Sequence, residues 1–285
     1  MDQRNPRRNR RAKVSRSMKL MSRDIAIIHT VYQYRVLRQN QLERLFGRSR
    51  SVMQRVLLRL YQHQFLDRRF LPVYAGSSPT LYVLDKRGAE VLRTQLGLDD
   101  LTWYSSSKDL KPDFLEHTTA INDFRIAVTV SAQIAGYEVS TWVSESALKA
   151  NYDRVSIRTQ PNKLQTVSLI PDSYFVLKTP FGLLNFFLEV DRGSETIGRF
   201  KSKILAYRMY HQSGAYKRRY QSNRMRILTV TTGVKRLENL KAATESVGGK
   251  HRFWFAHLDD ITPDTILNQP VWYMAGEEQR RSLIE

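Results

Sequence analysis

The chain has 285 residues, 41% of them hydrophobic and 11% aromatic, which is enough for one large domain or two of ordinary size, each with a real core. Lys and Arg number 46 against 27 Asp and Glu, a formal net charge of +19, so a polyanionic partner is favoured, nucleic acid before an anionic membrane surface. The absence of cysteine excludes disulfides and thiolate metal sites, and no apolar run approaches the roughly 20 residues needed to span a bilayer.

Residues 1–20 open the chain as a basic arm. "MDQRNPRRNRRAKVSRSMK" carries eight basic residues, one acid and no apolar period. With nothing to bury against the entropy of ordering, it is expected to be disordered alone, and either to lie along phosphates or to act as a solubilising tail. It lacks the apolar segment of a secretory signal, so a cytoplasmic, nucleoid-associated protein that does not engage membranes is expected.

Residues 21–104 read as a winged helix-turn-helix. Behind Ser22, Ile25, Ile28, Val31 and Tyr32 recur at helical spacing, and "NQLERLFG" forms a short second helix closed by Gly47. In "RSRSVMQRVLLRLYQHQFL" the residues Met53, Val56, Leu57 and Leu60 share one face, and Arg48, Arg55 and Arg59 project from the other with Ser51 and Gln62. An apolar back with an arginine front suits a DNA groove. "FLDRRFLPVY" and "TLYVLD" read as wing strands joined by the flexible "AGSSP", with Arg68 and Arg69 on the first strand near the DNA backbone. "DKRGAEVLRTQL" closes the domain as a helix. A winged helix that binds protein, or a helical bundle with a solvated charged face, is the competing interpretation.

A polar linker, "SSSKDLKP", leads into a second domain at 112–275. Its order is a long helix, strand-like "YEVSTWVSE", irregular strands to Pro171–Asp172, the unbroken apolar "GLLNFFLEVD", then helix, strand, helix and strand. The unbroken run argues for a strand covered on both faces, so a mixed sheet flanked by helices is expected, α/β in this domain and α+β overall. Residues 276–285 are left as a C-terminal tail.

Acids mark the ends of the two central runs. Glu189 and Asp191 are two apart and share a face of an ideal strand, with Asp172 on the strand before. Such oxygen ligands suit Mg²⁺ or Mn²⁺, able to bridge a phosphate and activate water. Phosphodiester hydrolysis also wants a cation beside the phosphate, and Lys203 follows Glu195 and Arg199 at helical spacing; Arg192 is another candidate. Asp172, Glu189, Asp191 and Lys203 are therefore the candidate catalytic set, the three acids its metal ligands. From the first helix, Glu116, His117, Asn122 and Asp123 are further candidates to face this site. The structural alternative makes Asp191 or Ser194 a helix cap and Glu189 the partner of Arg192 or Lys203.

This layout resembles the PD-(D/E)xK nuclease core, with the departure that Asp191 stands where that core has its lysine. In that family the lysine is known to migrate to a helix. The chain from about Ser22 to Asp260 further resembles the replication-relaxation family of plasmids and mobile elements. The resemblance rests on "LYVLDKRGAEVL", "EHTTAINDFRIAV", "IPDSYFVL", "FFLEVDRGSE" and "KILAYRMY". It implies a winged helix joined to a restriction-endonuclease-like domain, and a role in replication, or in relaxation of DNA during mobilisation. The expected partner is double-stranded DNA, with replication or relaxosome proteins of the element. The first reading is a DNA-binding protein whose nuclease-like domain is non-catalytic. Its rivals are an active Mg²⁺- or Mn²⁺-dependent endonuclease or nickase, and a winged-helix transcriptional regulator.

Overall fold

The computed structural model describes residues 10–12, 18–72, 78–99, 101, 111–160 and 163–284. Most of the arm, the centre of the wing tip and nearly all of the expected linker lie outside these residues. The chain divides into two compact units, Met1–Ile126 and Ala127–Glu285.

The first unit runs α1 (Ser22–Tyr34), β1 (Val36–Arg38), α2 (Gln39–Phe46), α3 (Arg50–Gln62), β2 (Leu66–Phe70), β3 (Thr80–Leu84) and α4 (Lys86–Leu96). Three helices, a hairpin and a closing helix come in the order expected from sequence, and β1, not expected, adds a third strand. The three strands pair antiparallel in the order β1-β3-β2. Met53, Val56, Leu57 and Leu60 of α3 are all buried, the apolar face that the spacing predicts. Gly47 ends α2 at φ 57°, a left-handed conformation that a side chain would strain. Gly88 is required for space instead: a Cβ there would stand 2.2 Å from the Phe65 carbonyl oxygen, so α4 lies directly against the chain entering β2.

Two expectations change in this unit. The long helix α5 (Pro112–Ile134), assigned from sequence to the second domain, begins in the first. Leu115 joins Val36, Leu81 and Val83 in one buried cluster. Buried Asn122 donates to the carbonyls of Tyr34 at 3.0 Å and Val36 at 2.6 Å, and buried Gln41 donates to Thr119 O at 3.1 Å and Asp123 Oδ1 at 2.9 Å. Asn122 and Asp123 thus serve the first unit's packing. In the arm, Arg11 is docked. It donates to Tyr61 O at 2.9 Å, Leu66 O at 3.3 Å and Asp67 Oδ1 at 3.2 Å, pairs with Asp85, and lies 4.7 Å above the Tyr61 ring.

The second unit carries a seven-stranded mixed sheet. After the last third of α5 come β4 (Glu138–Ser144), α6 (Glu145–Ala150), β5 (Asp153–Gln160), β6 (Lys163–Leu169), β7 (Ser173–Thr179) and β8 (Gly182–Asp191). Then follow α7 (Ile197–Gln212), α8 (Ala215–Tyr220), β9 (Arg226–Thr231), α9 (Val234–Ser246), β10 (Phe253–His257), β11 (Trp272–Met274) and β12 (Arg280–Arg281). The order is β12-β11-β10-β9-β8-β7-β4. β4, β7 and β8 pair antiparallel, and β8, β9 and β10 run parallel through the crossovers that carry α7 and α9. The fold is α+β, and β8 lies inside its sheet, buried from Asn185 to Asp191, as the unbroken apolar run predicts.

The irregular strands upstream of Pro171 resolve into a separate ribbon, β5 with β6, outside the main sheet. Its Val155, Ile157 and Leu169 are buried in the core with Phe200, Ile204 and Tyr207 of α7. Residues 276–285, expected as a tail, contribute edge strand β12 and the fully buried Leu283. Among the described residues no helix is long and apolar enough to cross a membrane.

Candidate functional site

The carboxylates stand at the ends of β7 and β8. Backbone alternation puts Phe187, Glu189 and Asp191 on one face of β8. α7 and α9 cover that face, with Ile204, Tyr207, Leu237 and Leu240 in the same core as Phe187. Asp172 precedes β7, where its Oδ2 accepts from Val190 N at 2.6 Å and its own N–H donates to Leu188 O at 3.0 Å.

Glu189 is 5% exposed. Lys203 Nζ donates to its Oε2 at 2.8 Å and the Tyr207 hydroxyl to its Oε1 at 2.5 Å. Lys203 also reaches Glu195 Oε2 at 3.3 Å, while Arg199, 83% exposed, holds the other oxygen of Glu195 from 3.5 Å. Burial raises the Glu189 carboxyl; Lys203 and Tyr207 oppose this and nearby Asp172 adds to it, the balance reaching about 7. Burial pulls Lys203 the other way, and the charges of Glu189, Glu195 and Asp172 overcome it, leaving the ammonium above the ordinary lysine value.

Asp191, though on the same face, is held by different elements. Arg236 of α9 grips both of its oxygens at 2.8 Å, and Thr231 of β9 and Gly193 N donate to Oδ2 at 3.0 and 3.2 Å. Burial works to raise this carboxyl, but Arg236, with Thr231 and Gly193, outweighs it and holds the group below the ordinary aspartate value. Asp191 therefore takes up a cation in the fold where the nuclease motif would supply one. The cap of α7 is neither Asp191 nor Ser194 but Thr196, whose hydroxyl accepts from Arg199 N at 3.4 Å.

Asp172, Glu189 and Lys203 are thus brought together and Asp191 is turned to another partner. Each Glu189 and Asp191 oxygen already accepts a hydrogen bond. Among the described residues no group of three or more His, Asp and Glu side chains is arranged to hold a metal ion. A hard divalent cation needs several oxygen ligands converging on one point, so this arrangement does not fit one without rearrangement. Sequence reasoning missed Tyr207 and Arg236. Tyr207 lies four residues beyond Lys203 on one helical face, a signal that was readable. Arg236, 45 residues from Asp191, left none.

On the first unit, Arg48 is exposed in the turn just before α3 and Arg55 is exposed on the outer face of α3. Arg59 is engaged differently: its Nη2 lies 2.9 Å from both oxygens of Asp24, which is wholly buried. Arg69 donates to Asp67 Oδ2 at 2.7 Å, and Arg68 lies over the rings of Tyr61 at 4.3 Å and Tyr82 at 5.5 Å. Between α2, the start of α3 and the wing strands opens a groove of about 680 Å³, lined by Arg38, Asn40, Arg50, Gln54 and Arg68 among others. Arg50 and Gln54, both exposed on the first turns of α3, were not singled out from sequence. They lie about one turn apart, and their place at the helix start was the available signal.

A family model described as replication-relaxation matches residues 28–224. No curated protein matches. Among solved structures, the restriction endonuclease FokI aligns at a TM-score of 0.29 and 11% identity, over 86% of this chain and 44% of that one. The present chain thus spans less than half the length of that enzyme.

Proposed function

The chain belongs to the replication-relaxation family, and from that premise we propose that it binds double-stranded DNA in the replication, relaxation or mobilisation of a plasmid or other mobile element. The observation that carries this reading is the cationic surface of α3 beside an open groove. Arg48 and Arg55 are set to meet phosphates, while Arg50 and Gln54, at the helix start, are set to approach base edges. The second unit acts as a non-catalytic platform for DNA or for replication or relaxosome proteins, since its Glu189 and Asp191 are each committed to a cation of the fold.

The test is duplex binding across a salt series. Arg48→Ala with Arg55→Ala should weaken binding and lower the slope of log affinity against log salt by roughly two units, about one for each phosphate that an arginine no longer neutralises. An unchanged slope would refute α3 as the DNA-binding element.

One observation favours a second reading, a Mg²⁺- or Mn²⁺-dependent endonuclease or nickase: Asp172, Glu189 and Lys203 do converge. That activity requires Lys203 and Tyr207 to release Glu189. Supercoiled plasmid incubated with either metal, beside Asp172→Ala, Glu189→Ala protein, decides it. Nicking by the native chain alone would establish the enzyme; equal nicking by both, or none, leaves the platform.

A further inference from the structure

The parallel strands of the second unit end, at the side away from the carboxylates, in a basic surface that the reading above does not use. Here lie the turn from β7 to β8 and the starts of β9 and β10. A hollow of about 720 Å³ opens there, lined by Phe181, Arg224, Arg226, His251 and Arg252 among others. A smaller one of about 190 Å³ shares Met225, His251 and Arg252 with it and adds Arg208 and Lys250. Together they form one continuous track with neither Asp nor Glu among the described residues of its lining. One acid at its rim is Glu277, whose Oε1 is 3.6 Å from His251 Nδ1.

The arginines differ in how firmly they are held. Arg226 is fixed, its guanidinium 4.4 Å above the Trp254 ring and donating to Leu283 O at 2.6 Å. Arg224 and Arg252 are exposed, and Arg252 meets the ring of His211, which carries no negative charge, at 3.0 Å. Gathering like charges without acids is unfavourable for the free protein and is relieved by a polyanion. Beside them the turn presents Phe181 at 82% exposure and Leu183 at 53%. An open aromatic face next to guanidinium groups suits an unstacked base lying beside its own phosphates. A duplex keeps its base faces covered and would leave Phe181 without a partner.

We propose that this track binds single-stranded DNA, with phosphates on Arg224, Arg252 and Lys250 and a base against Phe181. The choice of DNA among polyanions rests on the DNA-binding reading of the first unit, but the surface is separate from α3.

The experiment uses the full chain, a labelled oligothymidine of about 16 nucleotides and a labelled duplex, read by fluorescence anisotropy. Phe181→Ala, and separately Arg224→Ala with Arg252→Ala, should each weaken the single strand roughly fivefold or more and leave the duplex within about twofold. Arg48→Ala with Arg55→Ala should do the reverse. If that last variant leaves duplex binding intact while the track variants still lose the single strand, α3 fails and the track stands. Single-strand binding that is absent, or unmoved by both track variants, overturns the proposal. So does binding of phosphatidylserine vesicles lost in Phe181→Ala while single-strand affinity is unchanged, which would make the turn a membrane-binding element. All three residues are exposed, and matched melting curves for the variants will show that the fold is intact.

Discussion

Lys203 Nζ lies 2.8 Å from Glu189 Oε2, across 14 residues of chain and between a helix and the strand it covers. The nuclease motif would put a lysine two residues after this glutamate, where Asp191 stands instead. The cation beside Glu189 comes from α7, and a second one, from α9, serves Asp191. Replacing Lys203 removes a charge from a buried pair without removing its partner. Lys203→Met should therefore cost about 3 kcal/mol at about pH 8, where Glu189 is ionised, measured by urea denaturation. Adding Glu189→Gln should restore most of that loss, because no buried charge remains uncompensated. A single variant as stable as the native chain would show that the pair is not coupled.

The pH dependence of stability carries a definite sign. Glu189 is raised from 4.5 to about 7, so between these values the folded chain holds a proton that the unfolded chain has released. Its contribution is therefore complete below about 4.5 and lost as pH rises through about 7. Unfolding free energies of the native chain and Glu189→Gln, measured from pH 4.5 to 8, should diverge as pH rises, the native chain losing up to about 3 kcal/mol relative to the variant. Parallel profiles would mean that Glu189 ionises in the folded state as freely as in the unfolded one.

Much of this architecture was readable because it depends on local periodicity. The buried stripe of α3 and the apolar run of β8 are both segments whose own residues announce which faces are covered. What escaped was decided at a distance. Asn122 and Gln41 look like surface polar residues, yet each is buried against backbone carbonyls more than 70 positions away, and together they bring the start of α5 into the first unit. Strands β11 and β12 are three and two residues long, too short to show a period. Of the four candidate catalytic residues, the convergence of three followed from strand geometry and the helical position of Lys203. The diversion of Asp191 depends on Arg236, which no spacing rule connects to it.

That diversion is testable through Asp191→Asn, which keeps the size and shape of the side chain but replaces one carboxylate oxygen with an NH2 group and removes the charge facing Arg236. The aspartate side chain is 4% exposed and its arginine 21%, so the loss should be about 3 kcal/mol near neutrality. Because the native carboxyl is held below its ordinary value of 3.8, its contribution is present above that pH and lost as pH falls through the folded value. The gap between native and variant stability should thus close in acid, the opposite direction from Glu189. A gap that does not begin to narrow as pH falls below 3.8 would point to shape, not charge, as what the substitution disturbs.

Two arginines one helical turn apart on α3 should respond in opposite ways to the same substitution. Arg59 neutralises Asp24, which is wholly buried, also accepts from Met21 N at 3.1 Å, and so anchors the start of α1. Arg59→Ala leaves that carboxylate only the distant Arg23, at 3.9 Å, and should lower stability by about 3 kcal/mol. Arg55 is exposed, so Arg55→Ala should leave stability within about 0.5 kcal/mol. Its cost should instead fall on duplex affinity, lowering the salt slope by about one unit. Thermal melts and duplex titrations of the two variants separate these effects. If Arg59→Ala melts like the native chain while losing DNA, Arg59 is a DNA-binding residue; if Arg55→Ala changes neither quantity, the outer face of α3 is only solvated charge.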